Sequence, residues 1–176
     1  MALSPIREIP MRDEYRLRAD CARCCGLCCV ASAFDADQGF GFDKPAHTAC
    51  RNLDNHHCTI HDELRVRGFP ACATFDCYGA GQWVTQQLFA GKSWQTSPEI
   101  AARMFRLYPR YRGLHELMAL LELAMRRLSP AAAVPLEQWL HEIEEICQSG
   151  VDAVCSVDVE ALTKNVRALV REQVRR

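Results

Sequence analysis

Nine of the 11 cysteines in this chain fall between Cys21 and Cys77, and their spacing suits ligation of a metal. Cys21 and Cys24 stand in C-x2-C spacing, which lets two thiolates reach one metal across a tight turn. Cys25 and Cys28 repeat that spacing. Gly26 lies inside this run, where a chain wrapped around a metal needs dihedrals that glycine adopts freely. A second, wider set follows: Cys50 and Cys58 bracket Arg51–His57, which reads as a hairpin-like loop, and Cys72 and Cys77 bracket Ala73–Asp76. Together the two sets hold more thiolates than one tetrahedral ion uses.

The adjacent pair Cys28-Cys29 narrows the options. Side chains of neighbouring residues diverge, so such a pair suits a polynuclear centre, two separate centres, or one ligand beside one structural thiol. This favours an iron–sulfur cluster, in which thiolates approach several irons, and the 4Fe-4S type is expected. Zinc is the strongest competitor, because C-x2-C followed by distant cysteines is also a zinc pattern. His56, His57 and His61 flank Cys58 closely enough to replace a thiolate. A set of buried free thiols explains so dense a cluster poorly. Cys147 and Cys155 lie in a helical pattern and read as core or surface thiols.

Composition agrees with a metal rather than disulfides. Residues 1–20 interleave Arg7, Arg12, Arg16 and Arg18 with Glu8, Asp13, Glu14 and Asp20. That leaves no apolar run for a signal peptide, and no segment approaches the roughly 20 apolar residues of a membrane span. A soluble cytoplasmic chain, with no membrane association, is the expectation. In that reducing setting structural disulfides are rare, and an odd cysteine total fits a complete disulfide framework poorly. With a formal net charge of -1 and scattered Arg and Lys, no basic patch is present to neutralise phosphates, so nucleic acid is not an expected partner.

The elements that position these cysteines divide the chain in two. Residues 1–82 are rich in Cys, His, Asp, Gly and Pro and weak in periodicity. Phe34–Gly41 reads as loop or irregular hairpin, and one short helix is expected at about His61–Arg67, stopped by Gly68 and Pro70. So irregular a region needs a staple, which a metal centre supplies. Residues 83–176 read as helical. Ser97 caps a helix with Pro98 at its first position, running to about Leu107. Leu114, Leu117, Met118, Leu121, Met125 and Leu128 mark a second helix, ended by Ser129-Pro130. Leu136, Trp139, Leu140, Ile143 and Ile146 mark a third, closed by Gly150, and Val159 to Val174 form a last amphipathic helix. The expected fold is mainly α: a metal-stapled, cysteine-rich N-terminal half, 1–82, and a bundle-like helical half, 83–176, packed as one domain.

At its cysteines the sequence resembles the YkgJ-like cysteine-cluster family, a zinc- or iron-chelating CxxCxxCC domain. The resemblance covers about residues 18–82. It rests on the run Cys21, Cys24, Cys28 and Cys29, then Cys50 before Asn52-Leu53, then Cys58-Thr59-Ile60-His61, then Gly68-Phe69-Pro70-Ala71-Cys72, and finally Cys77. It implies that the metal ligands are Cys21, Cys24, Cys28, Cys29, Cys50, Cys58, Cys72 and Cys77, with Cys25 an extra. The segment Phe75–Gln82 is similar to a subgroup found in front of pentapeptide repeats, which this chain lacks. It departs from the common form in having three residues between Cys24 and Cys28, and in a stretched Arg67–Pro70 turn. The family relationship implies a metal-binding domain without naming an activity. One relative, flagellin lysine methylase, joins such a cluster to methyl transfer, but the glycine-rich nucleotide loop that this requires is absent here.

Three function classes follow. The first is a metal-binding module with a structural, electron-transfer or redox-sensing role, whose helical half offers a surface for a protein partner. The second is a metal-dependent protein-modifying enzyme, in which an open coordination position activates water or substrate. No phosphate loop or nucleophile elbow supports it. His115-Glu116 and His141-Glu142 lack the second histidine of a zinc protease and read as surface positions. The third is metal storage or delivery by labile thiolates.

Overall fold

The computed structural model describes residues 17–175, and the architecture is mainly α. Among the described residues there are seven α-helices and one two-stranded hairpin: α1 (Leu27–Ala31), β1 (Leu53–Asp54), β2 (His57–Cys58), α2 (Pro70–Thr74), α3 (Ala80–Trp83), α4 (Pro98–Met125), α5 (Pro130–Gln148), α6 (Val151–Ser156) and α7 (Val159–Arg175). None of the described helices is long and apolar enough to cross a membrane. Two compact units emerge: one spans Arg18–Pro109, and the other takes in the chain from Arg110 onward.

The first unit is held by short elements and side-chain caps. Gly26 takes a left-handed φ of 74° and turns the chain into α1, as the cysteine run requires. The hairpin pairs Leu53 with Cys58 and Asp54 with His57. Its two-residue turn places Asn55 at φ 52°, a conformation that asparagine tolerates better than most residues. Phe34 and Lys44 form an isolated antiparallel bridge. Phe34 stacks on Phe40 at 4.8 Å, and Phe42 meets Phe69 edge-on at 5.5 Å. The short helix expected at His61–Arg67 is instead a single 3-10 turn, His61–Glu63, continued by turns. Gly68, at φ 86°, ends it.

The sequence pattern suggested separate helices for 97–107 and 114–128, but the chain runs through as one helix, Pro98–Met125. Pro109 removes one backbone hydrogen bond. The helix survives it because Met104, Phe105, Leu107 and Tyr108 before it, and Tyr111, Leu114 and Leu117 after it, are all buried. Packing outweighs local propensity here.

In the second unit α5 packs on α6 and α7, burying Leu136, Ile143, Cys147, Val154 and Val166. Ser129 caps α5 by accepting the Ala132 amide hydrogen bond, with Pro130 at the first helical position, where its missing N–H costs nothing. A Cβ at Gly113 would lie 2.8 Å from Val159 Cγ1, so glycine permits the close approach of α4 and α7. Arg110 donates to the carbonyls of Val154 and Val157, the latter at 3.1 Å.

Candidate metal centre

One cavity of about 350 Å³ in the first unit gathers Cys21, Cys24, Cys28, Cys29, Cys50, Cys58, Cys72 and Cys77 on its walls. These are the eight expected ligands. Cys25, Cys147 and Cys155 do not line it. Cys25 is turned into the core, its sulfur 3.4 Å from Thr85 Oγ1 and 3.9 Å from Met104 Sδ. Cys147 is fully buried within the other unit. His56, His57 and His61 share the cavity wall, beside an apolar side made by Phe34, Phe40, Ile60, Leu64 and Phe69.

The first cysteine run is fastened from below by the segment that follows Cys77. Gln82 accepts from the Asp20 amide at 3.1 Å and donates to the Arg18 carbonyl at 2.6 Å. Gln86 donates to the Arg23 carbonyl at 2.8 Å, Thr85 Oγ1 accepts from the Cys25 amide at 3.3 Å, and the Trp94 indole donates to the Cys25 carbonyl at 3.0 Å. The second set is tied to the first through the main chain: the Cys50 amide donates to the Cys29 carbonyl at 2.9 Å, and the Leu53 amide to the Cys50 carbonyl at 3.0 Å.

Six of these thiols are held above the ordinary thiol range, largely by burial and by one another. Burial pushes Cys24 up to about 12, against backbone hydrogen bonds from Leu27 and Gly26. It pushes Cys72 to about 11, helped by Cys28, Cys50 and Cys58. The hydrogen bond with Cys29, and then burial, hold Cys28 well above the ordinary thiol range. Burial also raises Cys21, Cys58 and Cys77. The charge of Cys28 adds to the rise at Cys21, Cys24, Cys58, Cys72 and Cys77. Its sulfur lies 3.8 Å from that of Cys29.

Main-chain amides oppose that rise at Cys24, Cys28, Cys58 and Cys77. Cys24 receives Gly26 and Leu27, Cys58 receives Ile60, and Cys77 receives Gly79 and Gly81. The Asn52 amide donates to Cys50 Sγ at 3.4 Å. Cys24, Cys50, Cys58 and Cys77 thus each have an amide donor two residues downstream, the kind of hydrogen bond that tunes a sulfur ligand when a metal is bound. As the side chains stand, no three His, Cys, Asp or Glu groups among the described residues converge closely enough to hold one ion.

Two contributors were not legible in the spacing of the cysteines. A Cβ on Gly81 would lie 2.7 Å from Cys24 Sγ, and in ordinary contact with Cys77 Sγ at 3.8 Å, so glycine keeps room for the Cys24 thiol against α3. Gly81→Ala inverts the usual rule. In a helix that change ordinarily stabilises by about 1 kcal/mol; here it is expected to destabilise by about 1–3 kcal/mol through overpacking and to lower metal content, as thermal melting and elemental analysis will read. Lys44 is the second. It is only 4% exposed, donates to the carbonyls of Ser32, Pro45 and Thr48, and sits 4.5 Å over the Phe34 ring. Burial lowers its pKa, while Cys50 and Cys29 raise it.

The histidine-glutamate pairs differ from each other. His141 is exposed and meets Glu145 at 3.2 Å, as a surface position should. His115 is not on the surface: it is 1% exposed and lies edge-on to Tyr111. It follows Leu114 on the buried stripe of α4, while its neighbour Glu116 meets Arg112 at 3.2 Å and Arg167 at 3.3 Å.

No family model matches the chain, and no solved structure matches it. The chain is similar to an uncharacterized protein, YybG, of Bacillus subtilis, with 39% identity over 160 residues. The match takes in 87% of this chain and 56% of that protein, so the chain spans about half the length of the curated relative it matches.

Proposed function

We propose that this chain is a metal-binding protein whose Arg18–Pro109 unit holds a thiolate-ligated polynuclear centre, iron–sulfur in the first reading. The role is structural, electron-transferring or redox-sensing, in a reducing cytoplasmic setting. The observation that carries it is the meeting of eight thiols, from segments as far apart as Cys21 and Cys77, on the walls of one cavity. Packing alone gives no reason to collect eight sulfurs there, since alanine or valine would fill the same walls without the reactivity of a thiol. Metal chemistry does give a reason. Thiolate is the ligating form, and amides aimed at Cys24, Cys50, Cys58 and Cys77 support it.

The fit extends to the fold. Two-residue strands and five-residue helices bury little by themselves, and binding energy from a metal adds directly to folding energy. The resemblance to the YkgJ-like family points the same way. Zinc is the second reading, and the observation favouring it is His56, His57 and His61 on the same wall, since imidazole and thiolate together suit zinc.

Purification without oxygen, followed by a visible spectrum with iron, acid-labile sulfide and zinc determinations, tests the proposal. Broad visible absorption with iron and sulfide supports the first reading, and a colourless protein with stoichiometric zinc supports the second. A protein with neither metal refutes both.

A further inference from the structure

We infer that Cys28 and Cys29 act as one two-toothed ligand: their adjacent sulfurs bind the same soft, tetrahedral metal ion. This rests on the metal-binding reading above and adds to it how the pair is used, which the spacing of the cysteines left open.

The distance between the sulfurs carries the inference. They stand 3.8 Å apart. Two thiolates on one tetrahedral ion, each bonded at about 2.3 Å, lie about 3.8 Å from each other. The pair is therefore already set at the bite of a single ion. A disulfide needs its sulfurs at about 2.05 Å, far closer than these. An ion held linearly between two thiolates at the same bond length would need them about 4.6 Å apart, which is wider than these.

Side chains of neighbouring residues ordinarily diverge, and the local structure brings these two back together. Gly26 enters the turn with a left-handed φ of 74°. The Cys29 amide then donates to the Gly26 carbonyl at 3.0 Å, a closure one residue tighter than an α-helical turn. Leu27 and Val30, on either side of the pair, are fully buried and do not line the cavity, whereas Cys28 and Cys29 both do. The Cys50 amide, donating to the Cys29 carbonyl at 2.9 Å, fastens the far end. Two buried apolar anchors and two main-chain bonds thus hold the pair on one wall.

The same distance discriminates among centres. In a 4Fe-4S cubane each iron carries three sulfides and one thiolate, so two cysteines reach it at separate irons. Zinc takes two thiolates at one ion, and so does each iron of a four-cysteine 2Fe-2S cluster. Both use the pair as it stands. Loading exchanges two thiol protons for two metal–sulfur bonds, with no change in the oxidation state of sulfur and the protons passing to solvent.

The test is cadmium NMR on the full-length chain, reduced, handled without oxygen and loaded with an NMR-active cadmium isotope. A proton–cadmium correlation spectrum reads which cysteine β-protons couple to which ion. The inference expects the β-protons of Cys28 and Cys29 to correlate with one and the same cadmium resonance. Correlation with two different resonances, or of only one of the two cysteines with any, overturns it. Cys28→Ser and Cys29→Ser give a second measurement: the same resonance should move or vanish in both, and loss of a different resonance in each overturns the inference. A wild-type chain that takes up no cadmium refutes the underlying metal-binding reading, and this inference with it.

Discussion

Cys28→Ser is expected to strip the protein of most of its metal and to lower its stability by on the order of 5 kcal/mol or more. Structural zinc contributes about 10–16 kcal/mol of apparent binding energy in small metal-folded peptides, and Cys28 lines the cysteine-walled cavity with its sulfur 3.8 Å from that of Cys29. Serine keeps the size and loses the soft ligand, so the loss is one of coordination rather than packing. Two controls frame the result. Cys155 lies outside the cavity and is partly exposed, so Cys155→Ser should stay within about 0.5 kcal/mol of wild type. Cys147 is fully buried, so Cys147→Ala should cost about 1 kcal/mol from lost packing alone and leave metal content unchanged. Chemical denaturation with parallel metal analysis reads all three. Equal metal retention and equal stability across them would refute the account.

Lys44→Met is the second large effect. The ammonium satisfies three carbonyls in a loop that joins the two cysteine sets, and methionine fills the space over Phe34 while leaving those carbonyls without a donor. Hydrogen bonds to a charged group are worth about 1.5–3 kcal/mol each, and each buried acceptor left without its donor costs about 1–3 kcal/mol. A loss in that range is expected on urea denaturation. On the metal-binding reading, metal loading should also weaken, because the loop that Lys44 fastens runs from Cys29 to Cys50. An unchanged denaturation midpoint would show that the loop 32–50 is held by other contacts.

Which cysteines line the cavity was largely legible in the sequence, because the thiol is written in the residue itself. The C-x2-C spacing, the hairpin between Cys50 and Cys58, and the left-handed turn at Gly26 all follow from local rules, and the structure has each of them. What could not be read depends on residues distant in sequence. Gly81 matters only because Cys24 comes to rest against it, although the Gly79-x-Gly81 pattern directly after Cys77 was a visible hint. Lys44 reads as one more surface lysine until three carbonyls converge on it. The helical half was legible as mainly α, yet the break expected between Leu107 and Leu114 is absent, because buried tyrosines and leucines on both sides of Pro109 hold the helix together. The same continuity carries His115 onto the buried face, where dipeptide inspection had left it outside.

The measurement closest to the central claim is a cysteine-by-cysteine alkylation map, read by mass spectrometry, of the native protein before and after removal of metal with a strong chelator. The account predicts that Cys21, Cys24, Cys28, Cys29, Cys50, Cys58, Cys72 and Cys77 are protected together in the loaded protein and become reactive together once it is stripped, while Cys155 labels equally in both. An identical map in the two states would contradict it.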